Sequence, residues 1–285
     1  MRDINDLSVP AKVVCQVRMR KASPTSGFTP ESISTRLETK QLGRNLIQLD
    51  ECTSTNDLAR RFASMNAPHG SLILSATQTE GQGRHGRRWI SPRGGIWMTL
   101  ILRSITLPMD AIPLVGALSA ARSVNGQLGI DARVRWPNDV VVHGSKVAGV
   151  IAEGRQQGNS LEFVLLGLGV NANFESIELY DTGIDAVTLM DLNEGNPIDS
   201  SMLICNILLE LEDLFALERS NVTRFLDLLR SRDYSVGKKV KVVTKDRTIE
   251  GVFGDYSAVD SAVVEVNGEL AIVSTPSAIF VEYPD

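Results

Sequence analysis

Two apolar runs joined by a loop of glycines and arginines constrain this chain more than any other stretch. The runs cover residues 71–76 and 96–102, and the loop holds three glycines and three arginines within Gly81–Arg88. Glycine lets the backbone pass close to a ligand and point successive N–H groups at an anion. Arginine adds fixed positive charge that suits phosphate or carboxylate. The pattern predicts two strands with an anion-binding loop between them.

The glycine spacing of this loop matches two nucleotide-binding motifs, and neither of them holds. The G-x-G-x-x-G fingerprint requires a helix after its last glycine, but Pro92 and Gly94–Gly95 follow here, which is loop chemistry. A P-loop requires Lys and then Ser or Thr, and Arg87–Arg88 stands in that place. Taken alone, the loop is also compatible with an ordinary basic surface hairpin.

Composition excludes several classes of protein. The chain has 285 residues, of which 43% are hydrophobic and 22% charged, so we expect a soluble globular protein of about two domains. A net charge of −5 argues against a general nucleic-acid binder. Three scattered cysteines and three histidines form neither a disulfide framework nor a zinc site, which predicts a reducing, cytoplasmic location. No stretch approaches the roughly 18 apolar residues of a membrane span.

The ordered part of the chain is predicted to begin with a short strand at residues 46–49. Ser54 and Asp57 then form an S-x-x-D helix cap, followed by apolar residues on one helical face. Ser54, Thr55 and Asn56 are therefore either cap residues only or polar groups that hold a small ligand at a helix N-terminus.

A second amphipathic helix is predicted at residues 111–128, and two strands around a tight turn at residues 143–145 follow it. Lys146 opens the second of these strands, while Asn138 and Asp139 precede the first. Considered singly, these three are an exposed lysine and two turn residues. Another buried strand is predicted at residues 161–169.

Two amphipathic helices are predicted at residues 201–217 and 222–229. From Val236 the pattern changes to short alternating runs with Gly and Asp at the joints, which predicts a small β-barrel of about 50 residues. The domain organisation that follows is an irregular N-terminal extension (1–38), a central domain (39–234) and the barrel (235–285).

Five motifs in a fixed order carry a resemblance to a known family. They are Thr53–Asn56 (TSTN), Gln78 with the loop Gly81–Arg87 and Trp89, Arg135–Asp139 (RWPND), Lys146–Gly149 (KVAG) and Gly167–Asn171 (GLGVN). Over about residues 40–285 they closely resemble biotin–protein ligases. Residues 1–38 do not contain the pattern of the DNA-binding domain found in repressor-type ligases, so the resemblance is to the monofunctional group.

The resemblance implies an α+β fold: a mixed β-sheet flanked by helices, like class II synthetases and biotin–lipoate ligases, with a small C-terminal SH3-like β-barrel. It implies that biotin and Mg²⁺-ATP react to biotinyl-5′-AMP, and that the biotinyl group then passes to one lysine of a biotin carboxyl carrier domain of a biotin-dependent carboxylase. No DNA or membrane partner is expected, and a homodimer is left open.

The resemblance also implies site residues. The biotin-binding set is Ser54, Thr55, Asn56, Gln78, Gln82, Gly83, Arg84 and Lys146. The ATP-binding set is Arg87, Trp89, Asn138, Lys146 and Asn171. Lys146, Arg84 and Asp139 are the candidate catalytic residues, and Asp139 is also a candidate Mg²⁺ ligand. Gln82 departs from the family, which usually has arginine at this position of the loop.

Two other functions are kept as alternatives. The first is a lipoate–protein ligase or octanoyltransferase, whose catalytic domain is similar, although the W-P-N-D and G-x-G-R-x-G-R motifs favour biotin. The second is a non-catalytic nucleic-acid-binding module that uses the arginines of the loop beside Trp89.

Overall fold

The computed structural model describes residues 27–157, 160–183, 185–258, 260–275 and 278–284. Its helices are α1 (Pro30–Ser34), α2 (Thr55–Ser64), α3 (Ile112–Leu128), α4 (Leu189–Leu192), α5 (Ser200–Ser220) and α6 (Val222–Ser231). Its strands are β1 (Leu46–Leu49), β2 (Ser71–Ser75), β3 (Ile96–Leu102), β4 (Arg133–Arg135), β5 (Asp139–Val142), β6 (Ser145–Gln157), β7 (Ser160–Val170), β8 (Lys239–Val243), β9 (Thr248–Ala258), β10 (Ser261–Val266), β11 (Glu269–Ser274) and β12 (Phe280–Glu282).

A seven-stranded mixed sheet forms the centre of the larger part of the molecule. Its strand order is β1-β2-β3-β7-β6-β5-β4, with β1 and β2 parallel and the other neighbours antiparallel. Helices α3 and α5 cover one face, and α2 packs on the other. This is the predicted α+β class, a mixed sheet flanked by helices with a second sheet at the C-terminus. No helix within the described ranges is long and apolar enough to cross a membrane.

Helix α3 differs from the amphipathic helix that its sequence predicts. Nearly every residue from Ile112 to Val124 is buried, because α3 lies between the sheet and α5 and has no face toward solvent. A helix enclosed in this way gains nothing from a polar stripe. It begins with Pro113 in its first turn and ends at Gly129, which has a φ of 67°.

The turn between β5 and β6 forms where the sequence predicts it. His143 and Gly144 have φ values of 51° and 91°, the left-handed pair that connects two antiparallel strands in a two-residue hairpin. Lys146 therefore lies one residue inside β6 and close to Asp139, the first residue of β5.

Part of the predicted N-terminal extension is packed against helix α5. Helix α1 contacts α5, and Phe28 and Ile33 belong to the main hydrophobic core with at most 3% exposure. Residues 27–38 are thus held by burial of apolar side chains. Residues 1–26 lie outside the described residues, and the proposed domain bounds stay a prediction.

The C-terminal β-domain (residues 235–284 as described) is a five-stranded antiparallel sheet in the order β11-β10-β9-β8-β12. Four of its strands coincide with the predicted alternating runs. The fifth, β12, was not predicted, because three residues are too few to show an alternation. It pairs with β8, and the residues around it face the larger domain.

Candidate active site

A row of two glycines on β7, Gly167 and Gly169, leaves a depression in one face of the central sheet because neither has a side chain. On β7, Phe163 and Leu165 pack beneath α2, and the next two residues on that face are Gly167 and Gly169. A Cβ at Gly167 would lie 2.5 Å from Asn56 Oδ1, and one at Gly169 would lie 2.6 Å from Trp89 Nε1. The G-x-G part of the motif is therefore required by the close approach of the pocket walls, and larger residues would displace them.

The pocket above these glycines is lined by nearly all of the predicted site residues. Its lining includes Ser54, Thr55, Asn56, Gln78, Gln82, Gly83, Arg84, Arg87, Trp89, Asn138, Asp139 and Lys146. The exception is Asn171, which does not line it. The Asn171 amide is buried and donates to the carbonyls of Lys146 and Val187 at 3.3 Å each. It supports the backbone of the lysine, and its assignment to the nucleotide stays a prediction.

The start of α2 forms a neutral, polar end of the pocket. Ser54 is the N-cap residue, but its hydroxyl makes no capping hydrogen bond. Instead Gln78 Oε1 accepts from the Thr55 backbone N–H at 2.8 Å and from the Thr55 hydroxyl at 3.0 Å. Gln78 Nε2 donates to Ser91 Oγ at 2.9 Å. Helix α2 is therefore capped by Gln78 from a loop distant in sequence. The S-x-x-D motif predicts correctly where the helix begins but does not supply the capping hydrogen bond.

The amide of Asn56 is held in one orientation. Its Oδ1 accepts from the Thr99 hydroxyl at 2.5 Å, and its Nδ2 donates to Glu153 Oε1 at 3.1 Å. Arg60 in turn pairs with the other oxygen of Glu153. Neither Thr99 nor Glu153 was predicted from the sequence, since each becomes a neighbour of Asn56 only when β3, β6 and α2 are assembled.

The opposite end of the pocket is cationic. Lys146 Nζ lies 2.6 Å from Asp139 Oδ1, and Arg135 Nη2 lies 3.3 Å from Asp139 Oδ2. Lys146 Nζ also lies 4.9 Å from the centre of the Trp89 ring, which is cation–π contact. Trp89 Nε1 is buried and has no hydrogen-bond partner among the described residues. A buried donor in this position is available to a ligand.

The glycine–arginine loop (Gly81–Trp89) lies over the pocket and is attached by hydrogen bonds to the C-terminal β-domain. It is a tight hairpin in which Gln82 and Arg88 form a bridge and His85 has a φ of 55°. Arg84 Nη1 donates to Asn138 Oδ1 at 3.2 Å, and Nη2 donates to the carbonyls of Ala278 at 2.7 Å and Thr275 at 3.3 Å. Burial lowers the pKa of the Arg84 guanidinium. The loop is thus attached to the C-terminal β-domain through neutral acceptors.

Gln82 points toward α2. Its Nε2 lies 3.4 Å from Asp57 Oδ2, and its side chain is exposed. An arginine in its place would therefore meet the Asp57 carboxylate, which already pairs with Arg60 at 2.6 Å.

The pocket does not resemble a protein-built Mg²⁺ site. Asp139 is the one carboxylate among its described lining residues, and it already faces two cations. In the described part of the chain, no group of three or more His, Cys, Asp or Glu is placed so that it could hold a metal ion. Mg²⁺ prefers oxygen ligands in octahedral geometry and often takes most of them from phosphates and water. Asp139 as a Mg²⁺ ligand stays a prediction that this geometry does not favour.

Several pocket residues come from segments that carried no signal in the sequence. Ile279, Val281 and Tyr283, around β12, close the pocket from the C-terminal β-domain. Arg135 was part of the quoted RWPND motif, but its ion pair with Asp139 was not predicted.

Comparison with known proteins identifies the family. The chain is 32% identical over 221 residues to the bifunctional ligase/repressor BirA of Bacillus spizizenii, which covers 76% of this chain and 67% of that protein. The chain belongs to the biotin–protein ligase family. The model of the Biotin/lipoate A/B protein ligase family matches residues 48–171 of this ligase, a range that includes all five motifs.

One further relative and one solved structure are also similar to this chain. The biotin–[acetyl-CoA-carboxylase] ligase of Mycobacterium tuberculosis is 29% identical over 245 residues, covering 83% of this ligase and 89% of the relative. A biotin protein ligase from Aquifex aeolicus, solved in complex with biotin and ATP, superimposes with a TM-score of 0.75 at 24% identity and covers 85% of this chain and 100% of that one. At that identity the superposition supports the fold.

Proposed function

We propose that this ligase attaches biotin to a lysine of a carboxylase carrier domain in two steps. In the first, a carboxylate oxygen of biotin attacks the α-phosphorus of ATP, the bond to the β-phosphate bridge breaks, and pyrophosphate leaves with biotinyl-5′-AMP formed. In the second, a neutral lysine amine attacks the acyl carbon, AMP leaves, and the new amide nitrogen loses a proton.

One observation carries the proposal: a single pocket has a neutral polar end and a cationic end. The neutral end, formed by Ser54, Thr55, Asn56 and Gln78, has the donors and acceptors that a ureido ring needs. The cationic end, with Lys146 and the arginines, suits a carboxylate and a triphosphate that must come within bonding distance. Biotin and ATP together have this distribution of charge.

Within the cationic end, Lys146 and the arginines serve different purposes. The lysine ammonium is a compact charge, and it suits the oxygen shared by the carboxylate and phosphate. The guanidinium group of Arg87 suits phosphate in a bidentate fork, whereas both Nη atoms of Arg84 already donate to protein acceptors. The loop that carries both arginines covers the pocket and excludes water from a mixed anhydride that water would hydrolyse. Mg²⁺ bound to the ATP phosphates would supply additional charge neutralisation.

The test is incubation of the purified ligase with biotin, Mg²⁺-ATP and a biotin carboxyl carrier domain. We expect the carrier to gain the mass of one biotinyl group on one lysine, and ATP–pyrophosphate exchange to require biotin. Lys146→Ala should lower exchange by about 10² or more, the loss typical when a group that stabilises transition-state charge is removed. Lys245→Ala, which removes an exposed lysine in the C-terminal β-domain, is the control.

Lipoate and octanoate test the alternative within the same fold. We expect neither acid to support exchange at the rate of biotin, because neither has a ureido group for the polar end. Exchange that is independent of biotin, or equal with octanoate, would contradict the proposed substrate.

A further inference from the structure

The segment before Asp139 is held from both sides by residues of the C-terminal β-domain. The Trp136 N–H donates to Ser235 Oγ at 2.9 Å, and the Trp136 carbonyl accepts from Tyr283 Oη at 2.7 Å. Ser235 Oγ and Tyr283 Oη are themselves 2.8 Å apart. Because the phenol has a single proton and gives it to Trp136, the hydroxyl of Ser235 donates to Tyr283 in this arrangement.

The backbone that carries Ser235 is itself held by Asp233. Asp233 Oδ1 accepts from the backbone N–H groups of Ser235 at 2.5 Å and Val236 at 2.6 Å, while Tyr256 donates to Asp233 Oδ2. Burial raises the pKa of Tyr283 above its usual range, so its phenol stays protonated and remains a donor.

From Tyr283 a series of contacts leads to the lysine of the pocket. The Arg135 guanidinium lies over the Tyr283 ring, 5.9 Å from its centre. Arg135 pairs with Asp139, and Asp139 pairs with Lys146 at 2.6 Å. Arg135 and Trp136 are adjacent, so Tyr283 contacts the backbone of one and the side chain of the other.

We propose that Tyr283 is a positioning residue, which holds the Asp139–Lys146 ion pair in place at the nucleotide end of the pocket through Trp136 and Arg135. This inference rests on the proposed function, since it takes ATP as the ligand of that end. Errors of about 1 Å in the placement of reacting groups can cost about 10²-fold in rate. A β-domain that holds the RWPND segment from outside the central sheet is therefore part of the nucleotide site.

The experiment compares Tyr283→Phe, which keeps the ring and loses the hydroxyl, with the unaltered ligase in biotin-dependent ATP–pyrophosphate exchange. We expect kcat/KM for ATP to fall by about tenfold, the effect of one hydrogen bond in a low-dielectric site, with KM for biotin changed less than about twofold. Ile249→Ala, which truncates a buried residue of β9 that lines a separate cavity of the β-domain, is the control for loss of stability.

A double variant tests the route of the effect. If Tyr283 acts through the ion pair, Tyr283→Phe should have little further effect on KM for ATP in an Asp139→Asn background. Full additivity, or a loss shared equally by biotin and ATP, or the same loss in Ile249→Ala, would overturn the inference. Ser235→Ala removes the other hydroxyl, and it should likewise lower kcat/KM for ATP while leaving KM for biotin nearly unchanged. This variant replaces Tyr283→Phe in the test if Tyr283→Phe does not fold.

The unaltered ligase separates this inference from the proposed function. If it shows no biotin-dependent exchange, the proposed function fails. If it is active and Tyr283→Phe retains its kcat/KM for ATP, only the role of Tyr283 fails.

Discussion

The polar end of the pocket depends on how individual side chains are oriented, and Asn56 is the clearest case. An amide presents a donor on one side and an acceptor on the other, so a ligand with a ureido group binds well only if the amide does not turn over. Thr99 donates to the Asn56 oxygen and Glu153 accepts from its nitrogen. These two contacts fix the orientation from opposite sides.

Glu153→Gln should weaken biotin binding without affecting ATP. A carboxylate can only accept from Asn56 Nδ2, whereas the substituted amide can also donate its own NH₂ to Asn56 Oδ1 after the Asn56 amide turns over, so the preference for one orientation is lost. A hydrogen bond to a charged group contributes roughly 1.5–3 kcal/mol, so we expect KM for biotin to rise by about tenfold. KM for ATP should stay within about twofold.

The matched control is Glu162→Gln, on the neighbouring strand. Glu162 pairs with Arg155 at 3.1 Å and is not among the lining residues of the pocket. Equal values of KM for biotin in the two variants would show that Glu153 does not orient the amide.

The loop Gly81–Trp89 is held to two parts of the molecule by the side chain of Arg84. Arg84 connects it to Asn138 below and to the carbonyls of Thr275 and Ala278 on the C-terminal β-domain. All of these acceptors are neutral, so the attachment does not compete with an ion pair when an anionic intermediate lies beneath the loop.

Arg84→Ala should release the loop and let the adenylate escape. Three hydrogen bonds from a charged donor are lost, so we expect the half-life of bound biotinyl-AMP to fall by at least about tenfold. Affinity for biotin alone should change by less than about threefold. The measurement is the dissociation rate of labelled adenylate, with Arg93→Ala, whose partner is Asp50, as control. An unchanged half-life would show that Arg84 does not hold the loop closed.

Helix α1 is short but anchored, and its packing leads to a stability prediction. Ile33 is fully buried, and Ser32 Oγ lies 2.6 Å from Ser201 Oγ on α5. Ile33→Ala should lower the free energy of unfolding by about 2–5 kcal/mol, as buried Ile→Ala changes do. The measurement is urea denaturation of the full chain.

Ser34→Ala, at an exposed position of the same helix, should stay within about 0.5 kcal/mol of the unaltered protein. If Ile33→Ala also leaves the urea midpoint unchanged, α1 is dispensable for stability.

At the scale of the whole molecule, a buried carboxylate lies where the larger domain meets the C-terminal β-domain. Asp233 is 7% exposed, precedes the C-terminal β-domain, and accepts hydrogen bonds from Tyr256 and from the backbone of Ser235 and Val236. Burial raises its pKa to about 6, against the lowering effect of these hydrogen bonds. The folded protein therefore binds a proton that the unfolded chain has already lost between pH 4 and 6.

This shift predicts a pH dependence of stability. The contribution of Asp233 is fully present below its unfolded pKa and is lost as the pH rises through about 6, in total on the order of 3 kcal/mol. Asp233→Asn cannot titrate, so between pH 4 and pH 7 its free energy of unfolding should improve relative to the unaltered protein. Urea denaturation of both proteins at several pH values measures this difference in the free energy of unfolding. The contributions of the other carboxylates cancel in the difference, because both proteins contain them. Parallel curves would contradict a raised pKa.

Local patterns were sufficient to predict most strands and helices. The strands β2 and β3, the hairpin of β5 and β6, and the helices α2, α3, α5 and α6 each follow from apolar periodicity, turn residues or caps within a few positions of one another. The motif residues that line the pocket were also found from sequence, because each motif lies at a strand end or helix start that faces the glycine row. Their assignment to biotin or to nucleotide remains a prediction.

The environment of those residues depends on contacts that join distant parts of the chain. Arg84 meets Ala278, Tyr283 meets Trp136, and Asn56 meets Glu153. Asn171 likewise donates to the backbone carbonyl of Lys146, because the pairing of β6 with β7 determines which groups surround it. Periodicity and capping report only interactions within a helix turn or a strand. Which surfaces of two domains meet, and which side chain then fixes which, is determined by packing across the entire molecule.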